Sequence, residues 1–70
     1  MVTMWFFFKF KRVYKGKVRY HISTQKFRGS SKRFCKWCAN GFIEDMVEMG
    51  WELVEQRLEQ IFLQRYANGQ

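Results

Sequence analysis

The chain has 70 residues, 47% of them hydrophobic and 20% aromatic, with two cysteines, no proline and a formal net charge of +7. That length allows one domain, residues 1–70, near the lower limit for a self-sufficient core. The aromatic content excludes a disordered tail, because large rings bury much area each. The charge is unevenly placed: Met1 to Ile43 carries eleven Lys and Arg and no carboxylate, and all six Asp and Glu lie from Glu44 onward, beside Arg57 and Arg65. A one-sign stretch repels itself as it compacts, so the pattern points to an anionic partner. The longest apolar run, Met4 to Phe8, is far shorter than a bilayer span. Met1-Val2-Thr3 has no basic start of a secretory signal, and Cys35 with Cys38 builds no disulfide framework. The expected setting is a reducing cytoplasm, with no membrane partner.

Trp5 to Thr24 predicts an antiparallel β-hairpin, aromatic and β-branched and punctuated once, at Lys15-Gly16. A two-residue loop pairs Phe10 with His21 and Arg12 with Arg19, setting polar residues against the Phe row. A three-residue loop, Tyr14-Lys15-Gly16, pairs Phe8 with Ile22 and Phe10 with Tyr20. It gathers Phe6, Phe8, Phe10, Val18, Tyr20 and Ile22 on one face and puts Gly16 at a left-handed position. This second register is the expected one, because a slip of one residue carries the apolar set into water. The opposite face then holds Trp5, Phe7, Lys9, Lys11, Val13, Arg19, His21 and Ser23.

Gln25 to Ser30 reads as a loop. A central helix follows over about 31–49, with Ser30 as N-cap and Gly50 as the C′ stop. Phe34, Cys35, Cys38, Phe42, Met46 and Met49 recur along it at helical steps as an apolar stripe. Gly41 costs about 1 kcal/mol relative to Ala and leaves room for a kink. From Trp51 to Tyr66 two patterns compete. Leu53, Val54, Leu58, Ile61 and Phe62 fit a helix, yet no capping residue follows Gly50. As a strand, Val54, Leu58, Phe62 and Tyr66 share a face.

Met49-Gly50-Trp51-Glu52-Leu53-Val54 resembles the Gly-Trp-Glu-Leu-Val segment of a family of small bacterial and phage domains of unknown function. In that family a helix ends at the glycine and the tryptophan opens a strand. Its chain often closes on an aromatic, basic strand, to which Ile61 to Tyr66 is similar. The resemblance covers roughly a third of the chain. This sequence departs from it in a Lys-rich hairpin before the helix and in lacking a Gly-rich turn between the last two strands. The resemblance implies a fold and no activity. The expected class is therefore α+β: an N-terminal antiparallel β-hairpin, one central helix, and a C-terminal extended segment pairing in the sheet. A second helix over 52–66 is the alternative, and 67–70 reads as a frayed tail.

Arg28, Lys32 and Arg33 crowd the helix start, with Lys36 a turn further on, and Glu44, Asp45 and Glu48 crowd its end. Both placements oppose the helix dipole, at about 0.3–1 kcal/mol for each charge. An anion at the N-terminus reverses the first penalty. The hairpin interleaves Trp5 and Phe7 with Lys9, Lys11 and Arg19, a mixture that suits a backbone-tracking groove with stacking platforms. The candidate binding residues are Lys9, Lys11, Arg19, Arg28, Lys32, Arg33 and Lys36, with Trp5, Phe7 and Trp37 as stacking rings. The plainer account of each is a solvated charge, or a ring buried against the C-terminal segment.

Cys35 and Cys38 share a helix face as potential metal ligands. Zinc needs four ligands, and His21 is the only histidine. Two small residues of an apolar stripe need no metal, and no cofactor is expected. The carboxylates follow ordinary amphipathic spacing without a nucleophile–base pair, so the chain reads as non-enzymatic. The expected function is that of a small basic nucleic-acid-binding or nucleoprotein-targeting accessory protein, in the style of a phage factor acting on host machinery. One alternative is a protein inhibitor that occupies an acidic or nucleic-acid-binding surface of a host protein. The other is a structural homodimer, with the acidic half of one copy on the basic half of the next.

Overall fold

The computed structural model describes residues 1–63; the expectations for 64–66 and for the tail 67–70 lie outside the described residues. Strand β1 spans Val2–Tyr14, β2 Lys17–Gly29, helix α1 Lys32–Glu48, and β3 Glu52–Leu63. Both strand pairings are antiparallel and the order is β2-β1-β3. The fold is α+β with an N-terminal hairpin, one helix and a third strand, so the segment after Gly50 is extended rather than helical. β2 and β3 run parallel to each other on either side of β1. That direction requires a crossover, and α1 supplies it across one face of the sheet.

β1 carries the core because its alternation is complete. Val2, Met4, Phe6, Phe8 and Phe10 are buried, while Thr3, Trp5, Phe7, Lys9 and Lys11 are half-buried on the other side. Phe6, Phe8 and Phe10 stack at 6.0 Å intervals along the strand, and Phe27 meets Phe6 and Phe8 edge-on. α1 adds Cys35, Ala39 and Met46, and sets Phe42 over Phe8 and Phe10 with ring centroids 4.9 and 5.9 Å away. Each fully buried Phe contributes about 1.5–3 kcal/mol.

The hairpin register differs from the expected one. Phe8 faces Ser23, Phe10 faces His21 and Arg12 faces Arg19, so only Lys15 and Gly16 form the loop. Both have positive φ, 50° and 76°, as in the two-residue turn whose twist matches the strands. The three-residue loop presumed that Val18, Tyr20 and Ile22 seek the core. α1 covers only the end of the hairpin away from its turn, where β2 meets it through Phe27 and Gly29, and Val18, Tyr20 and Ile22 stand exposed on the uncovered face. Arg19, His21 and Ser23 consequently lie on the helix side, not beside Trp5 and Lys9. Gln25 to Ser30 is likewise no loop. β2 continues to Gly29, whose backbone lies so close under the Phe34 ring that a Cβ would not fit.

The N-cap is Ser31, one residue beyond the expected Ser30, and its hydroxyl accepts the Phe34 N–H at 3.1 Å. α1 passes through Asn40-Gly41 without interruption. At its end Trp51 N–H donates to the Met46 carbonyl and Gly50 N–H to that of Val47, both at 3.0 Å, with Gly50 at φ 94°. These two bonds form a Schellman ending that only a left-handed residue completes comfortably. β3 shifts register twice against β1, leaving Glu59 and Val54 without a partner.

Seventeen helical residues span about 25 Å and thirteen strand residues about 43 Å. The hairpin therefore projects past α1, and every residue from Arg12 to Ile22 is exposed. Among the described residues, no helix is long and apolar enough to cross a membrane.

Candidate nucleic-acid interface

The uncovered face of the sheet brings rings and cations together by strand pairing. Trp5 faces Lys26 on β2 and Phe7 faces Arg57 on β3, while Lys9 lies diagonal to Tyr20. Lys26 Nζ sits 5.7 Å from the Trp5 ring centroid, Lys9 Nζ 4.8 Å from that of Tyr20, and the Arg57 guanidinium 4.2 Å from that of Phe7. These flanking chains leave Trp5 and Phe7 half-buried, whereas Tyr20 is 57% exposed. Lys11 and Arg28 complete the basic set, since they share this face through their partners Tyr20 and Thr3.

Charge is graded across the face. Along β3, Arg57 donates to Glu55 at 2.6 Å and to Glu59 at 3.2 Å, and Glu52 lies opposite Lys11. Hydrogen bonds to Glu59 and then Glu55 raise the Arg57 pKa above its ordinary value. Among the described residues, no carboxylate lies within ion-pair distance of Lys9, Lys11, Lys26 or Arg28. The face is thus basic on β2, mixed where Lys9 and Lys11 of β1 stand opposite Glu55 and Glu52, and acidic along β3.

The other candidate cations lie elsewhere. Lys32, Arg33 and Lys36 are exposed on α1, on the far side of the sheet. Trp37 is 69% exposed there, 6.0 Å from Phe34. Arg28, expected beside them, alternates with the core residue Phe27 and so belongs to the open face. The cluster expected at the helix start is therefore divided, and one flat contact cannot take both parts. Arg19 occupies a third place, on the helix side beyond the end of α1, opposite Arg12. Lys26 and Tyr20 were missing from the expected set. The signal for Lys26 was the two-residue alternation of Thr24, Lys26 and Arg28.

Cys35 is fully buried, and its thiol donates to the carbonyls of Val2 at 3.6 Å and Phe27 at 3.5 Å. It pins the start of α1 to the sheet. Burial raises its pKa above the ordinary 9.0, and the neighbouring Cys38 adds to the shift. Cys38 is half-buried, and both thiols are free. Among the described residues, no group of three or more His, Cys, Asp or Glu is placed to hold a metal ion. No family model, curated protein or solved structure matches this chain.

Proposed function

We propose that this is a small non-enzymatic binding protein that takes single-stranded nucleic acid on the open face of its sheet. One observation carries the reading: a sheet face without a cover, where half-buried and exposed rings alternate with cations that form no ion pair among the described residues. Lys9, Lys11, Lys26 and Arg28 meet phosphates, and Tyr20, with the accessible edges of Trp5 and Phe7, receives bases. Stacking contributes about 1–3 kcal/mol per base and tolerates any sequence, because every base has a π-face. The carboxylates of β3 repel the backbone and confine it to β1 and β2. The free thiols suit a reducing cytoplasm.

Fluorescence anisotropy with short labelled strands of DNA and RNA tests the proposal. Both single strands bind at low salt, and Lys9→Gln combined with Tyr20→Ala weakens both. Absence of any single-strand binding at low salt overturns the reading. A second reading, an inhibitor docked on a protein, draws on Val13, Val18 and Ile22, aliphatic side chains that are 59%, 51% and 61% exposed on the same face. Under that reading free nucleic acid is not retained, and Ile22→Glu abolishes capture of the partner.

A further inference from the structure

Arg12 and Arg19 are direct cross-strand partners on the helix side of the hairpin. Like charges directly opposite each other destabilise a sheet. Among the described residues, no carboxylate lies within ion-pair distance of either. Because α1 ends short of them, they face an open groove of about 320 Å³ walled by Arg12, Tyr14, Arg19 and Trp51. Trp51 is held by its N–H bond to the Met46 carbonyl and by His21, whose ring centroid is 5.7 Å away. The Arg12 guanidinium is 5.8 Å from the Trp51 ring centroid and lies alongside Gly50, so it already rests beside the ring. Arg19 makes no ring or ion-pair contact among the described residues and is free to close from the other side.

We propose that this groove is a nucleotide site, in which Arg12 and Arg19 grip a phosphate and the attached planar base lies against Tyr14 and Trp51. Two guanidinium groups present their donors in forks that match phosphate oxygens, and each stacks readily on a ring. The volume suits one small ligand, since pockets for such molecules start at about 300 Å³. The phosphate with its base comes either from the end of a nucleic-acid strand or from a free mononucleotide. The groove and the open face lie on opposite sides of the sheet, so either stands if the other fails.

The test is a titration of the isotope-labelled full chain with AMP, adenosine and inorganic phosphate, followed by magnetic resonance at the Trp51 indole. AMP shifts the Trp51 signal and binds at least about tenfold more tightly than adenosine or phosphate alone. Arg19→Gln weakens AMP binding by about tenfold or more and does not lower the thermal midpoint. Lys32→Gln with Arg33→Gln, on α1 and outside both surfaces, leaves AMP binding unchanged. A terminally phosphorylated oligonucleotide that binds this groove better than AMP assigns the strand end as ligand; AMP binding as well or better assigns the free nucleotide. A Trp51 signal unmoved by millimolar AMP, or an Arg19→Gln variant that binds AMP like the parent, overturns the proposal.

Discussion

Removing Lys11 and Arg28 from the open face tests the functional reading most sharply, because the structure supplies the number of contacts. Four cations, Lys9, Lys11, Lys26 and Arg28, stand on β1 and β2 without an ion pair among the described residues. If each meets one phosphate of a single strand, log affinity falls against log salt with a slope of about −3, or about 50-fold between about 50 and 200 mM. Lys11→Gln with Arg28→Gln leaves two contacts, and the same salt change then costs only about 7-fold. Neither side chain is buried, so the fold survives both changes. Lys32→Gln with Arg33→Gln removes the same charge from α1 and keeps the parental slope. Anisotropy of a labelled single strand across the salt series reads all three proteins. An equal loss of slope for the sheet pair and the helix pair would mean that diffuse net charge, not this face, holds the ligand, and the assignment would fall.

Phe8→Ala empties the centre of the core, between Phe6, Phe10 and Phe42, and costs about 3–5 kcal/mol, a large share of what so small a domain has. Circular dichroism in urea then shows a greatly lowered midpoint or no folded baseline; a parental midpoint contradicts the packing described. Lys15→Asn puts a residue that tolerates the left-handed region where φ is 50°, and raises stability by up to about 1 kcal/mol in the same titration. For Cys35 the folded chain holds a proton that the unfolded chain releases, since burial, and then Cys38, raise its pKa above 9.0. Its contribution is therefore complete below the ordinary thiol value and is lost as pH rises past it. The thermal midpoint of Cys35→Ala should fall less steeply than the parent's over the alkaline range; parallel curves would disprove the assignment.

The parts of this fold legible in the sequence are those where one physical rule acts alone. β1 is central, so burial on one face imposed a complete alternation, and Trp5, Phe7, Lys9 and Lys11 could be read as a set. Gly50 marked the end of α1 because a left-handed ending restricts the residue choice. β2 was misread because the rule that apolar residues face the core fails on a sheet covered on one side only. Placing Val18, Tyr20 and Ile22 inward forced a slip that displaced Arg19 and His21 and hid the place of Tyr20 on the open face. β3 was ambiguous for a local reason. Its unpaired residues Val54 and Glu59 reset the parity, so strict alternation is lost, and the apolar Leu53, Val54, Leu58, Ile61 and Phe62 fall at steps of one, four, three and one, which imitates a helix. The resemblance at Gly50-Trp51, not periodicity, favoured the strand. Arg28 and Lys32 looked contiguous because only the coordinates reveal that a strand end and a helix start turn to opposite sides of the sheet.

The short reach of α1 has a consequence for how this protein can change. The buried core sits at one end of the sheet, between Val2 and Phe10 and beneath the helix. The other end, from Arg12 to Ile22, is a protruding arm with no duty in the interior. Outside the Lys15-Gly16 turn and His21, side chains there can be exchanged with little effect on the buried core, so the arm is the part of the chain freest to change sequence.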